Sequence, residues 1–319
     1  MAAEVLTYVE PGYIERDGVA AGALDKEMDK FRLRSNKTVL QGSRFYRNVQ
    51  ARGGKYRESN YGNGLELPRK SEDGDILPAS TPIPGFTENI DIVNYRSSIK
   101  ASRTIVEDQL FPVVRKMMSG QLRSAKLALE YAMADRWNNL TSTDAGYVGA
   151  DGVAVASATH PHERRETGTW SNIETGGALT QASFSTARKN MRRRTDEFGY
   201  VMSVFPRALV VSPDNERKAR EIKTSELVPE NSLNANNVWR KDPWEVFVYD
   251  YLTSTTEWSL WGDRDKEDCG FLMAMVGTPN IKSLEGADKS TDIIFGTRLR
   301  MRYATGVLTE KNLQFNAGA

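Results

Sequence analysis

Residues 169–213 read TWSNIETGGALTQASFSTARKNMRRRTDEFGYVMSVFPRALVVSP, and the order of signals in them decides the architecture. The opening is polar and Gly-rich, as loops are. Thr180 stands where an N-cap belongs, followed by Phe184, Ala187 and Met191 at the spacing of one helix face. Arg192, Arg193 and Arg194 close that helix, where cations complement the negative end of the dipole, and Phe198-Gly199 ends the region. Arg207-Ala208-Leu209-Val210-Val211 is a short β-rich run. Ser212-Pro213 opens another helix, Ser as N-cap and Pro at the first helical position. Loop, helix, connector, strand and helix in this order begin the tract Gly176 to Trp261, in which strands alternate with helices as in an α/β-type layer.

Working outward, residues 112–140 carry the clearest helical period, in Val114, Met118, Leu122, Ala125, Leu129, Met133, Trp137 and Leu140. Pro112 is tolerated near the start, where a missing N–H has no helical partner. Gly120 weakens the middle by about 1 kcal/mol relative to Ala. At about 1.5 Å per residue this rod spans about 40 Å. Residues 142–174 read as loops. Residues 209–211, 245–249 and 258–261 read as three short apolar strands, and the polar, Asn-rich 223–242 as a flexible loop. Residues 271–284 and 291–303 read as two longer strands about a turn at Gly286-Ala287-Asp288. In the second, Ile294, Thr297, Leu299, Met301 and Tyr303 mix with Arg298, Arg300 and Arg302 in near alternation, the period of a sheet with one wet face. Both strands are expected to pack on the long helix.

The leading third is different. Residues 1–42 are polar, with a short helix expected over 21–34 from Leu24, Met28 and Phe31. Beyond them come Gly53-Gly54, Gly62-Asn63-Gly64, Asp73-Gly74 and Pro82-Ile83-Pro84-Gly85. Asn63-Gly64 is a type I′ hairpin signal, and 86–105 reads as the extended return strand. This excursion has too few apolar side chains for a core of its own, and an isolated two-stranded hairpin is marginal in water. The residues alone leave two readings, disorder or a hairpin lying on a neighbouring subunit.

The Trp170-Ser171-Asn172 loop, the helix from Thr180 to Met191, and the series Asp196, Gly199, Pro206 and Leu209 to Pro213 resemble the major capsid proteins of tailed bacteriophages, the HK97-like fold. The late run Asp292-Ile293-Ile294-Phe295-Gly296-Thr297-Arg298-Leu299-Arg300-Met301-Arg302-Tyr303-Ala304-Thr305-Gly306-Val307 resembles that family's last long strand. The resemblance covers roughly residues 90–319 in element order and is composite, with no single signature residue. It implies an α+β chain with an N-terminal arm (1–42), an extended β-hairpin or E-loop (43–103) and a spine helix in the peripheral domain (104–142). An α/β axial domain (143–262), peripheral β-strands packed on the spine helix (263–304) and a C-terminal return to the axial domain (305–319) complete it.

The function the resemblance implies is mechanical: a major capsid protein that self-assembles into hexamers and pentamers of an icosahedral shell around double-stranded DNA, without sequence-specific DNA binding. The implied location is the virion, with assembly in the host cytoplasm. Implied partners are further copies of the chain, a portal, and decoration or cement proteins. A scaffold is expected as a separate protein or not at all, since only about 40 residues precede the loop. Some family members crosslink a loop Lys to an Asn of another subunit. Lys55 or Lys70 and Asn312 or Asn316 have the right types, but nothing in the sequence selects them.

Composition fits without proving this. The 319 residues are 39% apolar and 27% charged, ordinary for a soluble globular protein. Net charge is +1 and the pI is near 7.7, so there is no global drive toward nucleic acid. The single Cys269 excludes an internal disulfide framework and a multi-cysteine metal site, and fits a reducing compartment. The first residues lack a basic n-region and an apolar stretch, so no signal peptide is expected. No window approaches the 18 or so apolar residues of a spanning helix, so no membrane partner is expected.

Few residues point to chemistry. A metal reading of His160-Pro161-His162 would add Asp151 or Glu163 as ligands. Pro161 denies the pair a helical i, i+4 geometry and no third His exists, so a surface loop is expected, with no metal and no cofactor. No G-x-S-x-G elbow accompanies the histidines, and the paired glycines lack the strand–turn–helix context and Lys of a phosphate loop. No enzyme is expected. The alternatives are an encapsulin-type compartment of the same fold, or a soluble enzyme with a site near His160 and His162. The candidate inter-subunit contacts are Arg44, Arg47, Arg52, Lys55, Arg57, Arg69 and Lys70 in the loop, its turn at Asn63 and Gly64, and Arg192, Arg193 and Arg194 at the helix end. For the last three, a solvated helix terminus is the plainer reading.

Overall fold

The strong period of residues 112–140 does produce one long helix. A computed structural model describes residues 40–60, 68, 70, 85–102, 111–162, 168–174, 176–196, 198–227, 236–262, 270–277, 279–283 and 293–318. The helix expected over 21–34, the Asn63-Gly64 turn, Glu163 and Cys269 lie outside them. The elements run β1 (Tyr46–Gln50), β2 (Lys55–Ser59), β3 (Thr87–Asp91), β4 (Val93–Ser102), α1 (Phe111–Asn138), β5 (His160–Pro161), β6 (Thr169–Trp170), β7 (Ile173–Glu174), α2 (Gln181–Arg192), β8 (Pro206–Val211), α3 (Glu216–Thr224), β9 (Glu245–Val248), β10 (Trp258–Gly262), β11 (Phe271–Met275), β12 (Asn280–Ser283), β13 (Ile293–Val307) and β14 (Leu313–Asn316). They divide into two units. One holds 92–130 and 275–303, the other 42–91, 131–274 and 304–319.

In the first unit β13 is central. It is antiparallel to β4 from Ile293↔Ser102 to Tyr303↔Val93 and to β12 from Asn280↔Arg300 to Ser283↔Thr297. The alternation in its sequence is physical: Thr297, Leu299, Met301 and Tyr303 are buried, whereas Arg298 and Arg300 are exposed. The part of α1 in this unit buries Met118, Gln121, Ala125 and Leu129. Gln121 joins helix to sheet, accepting from the Thr297 hydroxyl at 2.8 Å and donating to the Ser97 carbonyl at 3.2 Å. The Tyr303 hydroxyl donates to the Ala128 carbonyl at 3.1 Å, and its ring stacks on Tyr95 at 4.3 Å. The expected packing of strands on the long helix is therefore present.

Two expected strands are each divided. Residues 271–284 become β11 and β12, because Gly277 adopts a φ of +67°, where a residue with a Cβ is strained. Residues 86–105 become β3 and β4, because the chain changes pairing partner at Ile92.

The second unit contains a five-stranded sheet of order β7-β14-β10-β8-β9. β10 is antiparallel to β14 and β8, and the outer pairs β8–β9 and β14–β7 are parallel. Strand parity separates its faces. On one face Leu209, Val211, Trp258 and Leu260 join Phe184, Ala187 and Met191 of α2, Ala219 and Ile222 of α3, and Leu179, Val204 and Trp244 in a single core. Residues of the opposite parity, Phe247 and Trp261, meet Phe45 at ring separations of 4.8 Å and 5.5 Å. Trp137, from the end of α1, lies 5.1 Å from Phe45 and stacks on Phe271 at 5.4 Å. Phe271 in turn lies 5.2 Å from Trp261.

Local signals explain most of this unit. Thr180 caps α2 as expected: its Oγ1 accepts from the Ser183 N–H at 3.0 Å, and the Ser183 hydroxyl oxygen accepts from the Thr180 N–H at 3.0 Å. Ser212 behaves differently. Its hydroxyl makes no cap bond, Pro213 starts a 3₁₀ turn (Pro213–Asn215), and α3 begins only at Glu216. The tract 223–242, expected to be a flexible loop, is fastened at both described ends. Asn237 donates to the Ile222 and Ser225 carbonyls at 2.7 Å and 3.1 Å, and a 3₁₀ turn follows at Val238–Lys241. The tract 142–174, expected to be loops, holds the antiparallel pair β5–β6 and the strand β7, and buries Ala154, Val155 and Ala156.

The base of the expected hairpin is formed by β2 and β3, paired from Lys55↔Asp91 to Ser59↔Thr87. It does not stand alone. Ile90 is buried, and a Cβ on Gly306 would lie 2.5 Å from its Cδ1, so Gly306 lets β3 approach the end of β13.

Trp137 is 3% exposed within the aromatic cluster. Trp137→Ala is expected to cost about 3–5 kcal/mol in chemical denaturation. Tyr131→Ala, at a ring 61% exposed on the same helix, should cost well under half of that.

Candidate functional site

The candidate contact residues fall into three groups. Arg44 pairs with Glu245, both about half exposed, and its guanidinium sits 5.8 Å from the Phe247 ring. Arg47 pairs with Glu58, which also accepts from the Tyr56 hydroxyl at 2.7 Å. Both arginines are thus held by their own chain. Arg52, Lys55, Arg57 and Lys70 are exposed. Lys55 approaches Asp91 at 3.4 Å, but the two side chains are 85% and 78% exposed, so water carries most of that charge. Lys55 and Arg57 are two apart on β2 and share its open face, while Tyr56 and Glu58 are partly covered. Asn63, Gly64 and Arg69 lie outside the described residues.

The three arginines after α2 separate. Arg192 is exposed, its guanidinium 4.4 Å from the Phe205 ring. Arg193 is the exposed C-cap, its N–H donating to the Lys189 carbonyl at 3.1 Å. Arg194 corrects the expectation of an outward contact. It is 6% exposed and donates to the Lys311 carbonyl, to the Leu313 carbonyl at 3.0 Å and to Gln314 Oε1 at 2.7 Å, with Trp170 at 5.0 Å. Because α2 ends at Arg192, Arg194 has left the helix surface and turns inward to the segment that forms β14. Burial lowers its pKa, and the Glu310 charge acts against that shift.

Sequence reasoning missed an apolar surface beside this helix end. Tyr200, Val201 and Phe205 are 39%, 63% and 44% exposed. The available signal was the cluster of Phe198, Tyr200, Val201, Met202, Val204 and Phe205, interrupted by Gly199 and Ser203, with neither a helical nor a sustained strand period.

A second constellation is interior. His160, expected in a surface loop, is 0% exposed and stacks on Trp170 at 4.5 Å. Its Nδ1 is 2.6 Å from Asp151 Oδ2, and its Nε2 is 3.1 Å from Asn172 Oδ1. Of the two carboxylates considered from sequence, the fold brings Asp151 to His160, and Glu163 lies outside the described residues. Glu310 is a third member that no local pattern could supply. Ligand atoms of Asp151, His160 and Glu310 all lie within 4.8 Å of one another. Burial, then the Asp151 charge, hold the Glu310 carboxyl well above the usual carboxylate range, with Glu88 adding to the rise and Lys311 opposing it. Nearby, burial pushes Glu88 up to about 7 against the pull of Arg136. Arg136 itself donates to the Thr305 carbonyl at 2.8 Å. Asn312 and Asn316, the crosslink types noted in the sequence, are buried at 2% exposure.

A model of the phage capsid protein family matches residues 87–314, well over half of the chain. The chain belongs to the phage capsid protein family. It is a phage shell protein of HK97-like type, and its fold is that of solved capsids at very low sequence identity. The capsid of an empty GTA particle matches with a TM-score of 0.54 at 9% identity, covering 88% of this chain and 90% of that one. A phage-related protein from Bordetella bronchiseptica gives 0.54 at 10% identity, over 88% and 93%. The capsid protein of cyanophage P-SCSP1u gives 0.52 at 12% identity, over 86% of both chains. No curated protein matches the chain. Family and fold are those of a structural protein and imply a virion component. Among the described residues no helix is long and apolar enough to cross a membrane.

The two neighbouring arginines should differ sharply. Arg193→Ala should change stability by no more than about 0.5 kcal/mol. Arg194→Ala leaves three oxygens without their donor and should cost at least about 2 kcal/mol. Urea unfolding of both variants measures the difference.

Proposed function

We propose that this capsid protein assembles with copies of itself into hexamers and pentamers, and that these close into an icosahedral shell around double-stranded DNA. The single observation that carries the reading is the family match across residues 87–314. The C5 symmetry stated for the GTA capsid supports five-fold rings of such a subunit. Assembly takes place in the host cytoplasm, and no catalytic step is involved. Of the two histidines that an enzyme reading would use, His160 is buried and His162 is partly exposed.

In this reading residues 1–42 are the arm, 43–103 the extended loop and 104–142 the spine-helix segment. Residues 143–262 form the axial domain, 263–304 the peripheral strands and 305–319 the return. Lys55 and Arg57 on the open face of β2, with Arg52 and Lys70, reach acidic surface on a neighbouring copy. Arg44, Arg47, Asn63, Gly64 and Arg69 belong to the same extension. Arg192 and Arg193, beside the exposed Tyr200, Val201 and Phe205, supply a second contact of mixed apolar and cationic character, the composition of interface anchors. A standard protein interface buries on the order of 1,600 Å², and an extended loop adds area that a rounded subunit could not reach. Portal, decoration and scaffold proteins are further partners of the shell.

Electron microscopy and sedimentation of the overproduced chain test the proposal. Closed particles or capsomer rings are expected, with nucleic acid in those from phage-producing cells. Particles holding protein cargo and no nucleic acid would instead make it an encapsulin-type compartment, and a persistent monomer would overturn shell assembly. The double variant Arg52→Glu/Arg57→Glu should keep subunit stability within about 1 kcal/mol while sharply lowering the yield of closed particles. Undiminished yield would remove these two residues from the contact.

A further inference from the structure

We propose that Asp151, His160 and Glu310 form a binding site for one divalent first-row transition-metal cation of the Zn²⁺ type. Such an ion would tie the segment following α1 to the C-terminal segment within one subunit. The first argument is protonation. Asn172 is fixed in orientation: its Nδ2 donates to the Val155 carbonyl at 2.7 Å, and its Oδ1 accepts from the Ser157 N–H at 2.8 Å. His160 Nε2 faces that same Oδ1 at 3.1 Å, so Nε2 must carry a proton. In a neutral ring this leaves a lone pair on Nδ1, which faces an Asp151 carboxylate oxygen at only 2.6 Å. Two acceptors at that separation need a proton or a metal ion between or beside them. The Asn172 contact is the outer-sphere hydrogen bond that sets ring tautomer and orientation at metal-bound histidines.

The second argument concerns Glu310. It is 5% exposed, and its Oε1 has no hydrogen-bond partner. Protons alone would have to be two, one on Nδ1 for Asp151 and one on Glu310, whereas a single cation serves all three residues. Space has been made for it. A Cβ on Gly149 would stand 1.9 Å from Glu310 Oε1 and 3.2 Å from Asp151 Oδ1, so the absence of a side chain there lets both carboxylates turn inward. The ligand atoms lie within 4.8 Å of one another. Ligands about 2.1 Å from a tetrahedral ion lie about 3.4 Å apart, so side-chain rotations that open the Asp151–His160 pair by about 0.8 Å and draw in the wider pairs by up to about 1.4 Å close the set. One imidazole nitrogen with two carboxylates favours Zn²⁺, Co²⁺ or Mn²⁺ over Ca²⁺ and Mg²⁺, which take oxygen donors.

The test uses the full chain, stripped with a chelator, exchanged into metal-free buffer and then loaded with ZnSO₄. One ion per chain should survive buffer exchange, and the Tm should rise by roughly 5 °C once free Zn²⁺ is about a hundredfold above its Kd. Co²⁺ should give the visible d–d absorption of a low-symmetry site. Glu310→Gln, nearly isosteric, should weaken binding at least about tenfold, while Glu174→Gln, outside the cluster, should bind as the unaltered chain does. If Glu310→Gln does not fold, the stoichiometry and the Co²⁺ spectrum of the unaltered chain still decide. Substoichiometric metal with an unshifted Tm overturns the site, as does a doubly protonated His160 by ¹⁵N NMR in the presence of Zn²⁺.

Discussion

The contact among Phe45, Trp137, Phe247, Trp261 and Phe271 is the one on which the larger unit depends. These five rings come from a turn near residue 42, the end of the long helix, an edge strand, the central strand of one sheet and a strand beyond it. They are far apart in sequence, so ordering them costs loop-closure entropy that no local propensity offsets. Large rings are suited to the task. Each buries more apolar area than any aliphatic side chain, and edge-to-face pairs contribute about 0.5–1.5 kcal/mol beyond that area. Phe45, wholly buried, fixes where the leading segment departs from the body. What comes after it, the charged face of β2, is then presented outward from a firm root.

This arrangement divides labour between interior and surface. Apolar residues of α2, α3 and the sheet close one core, and the aromatic cluster closes the opposite face. Among the described residues of β2 and β3, Ile90 is the buried anchor near Gly306, and Lys55 and Arg57 are left in water. A nearly balanced total of 43 basic and 42 acidic residues suits such a subunit, since like copies must lie side by side without net repulsion. It also explains how the fold persists at 9–12% identity to solved capsids. What must be kept is burial parity and element order, which many sequences satisfy.

Much of this could be read directly. The period of α1, the Thr180 cap, the apolar run of β8 and the alternation in β13 are local patterns with local causes, and each is realised. Failures came where the deciding partner is distant or the geometry is a matter of one residue. Three consecutive arginines look like a solvated helix end, yet α2 stops at Arg192 and the third turns inward to carbonyls more than a hundred residues away. Ala-Thr-His-Pro-His reads as surface loop, yet His160 is sealed by Trp170 and Asn172, with Glu310 supplied from the far end of the chain. Gly277 did carry a signal, since glycine within a strand run marks a break, but periodicity alone ran past it. The exposed Tyr200, Val201 and Phe205 have no period at all, so only the fold reveals them as surface.

The central claim of the proposed shell is that the β2–β3 extension is held by neighbouring copies, while the body that Phe45 roots is ordered by itself. Hydrogen–deuterium exchange on the same chain, as dissociated subunit and as assembled particle, measures this most directly. Amides of β8, β10, the end of α1 and β1, which Phe45 roots in the body, should exchange slowly in both states, and those of β2 and β3 should become protected only in the particle. Equal, strong protection of β2 and β3 in the free subunit would contradict the account.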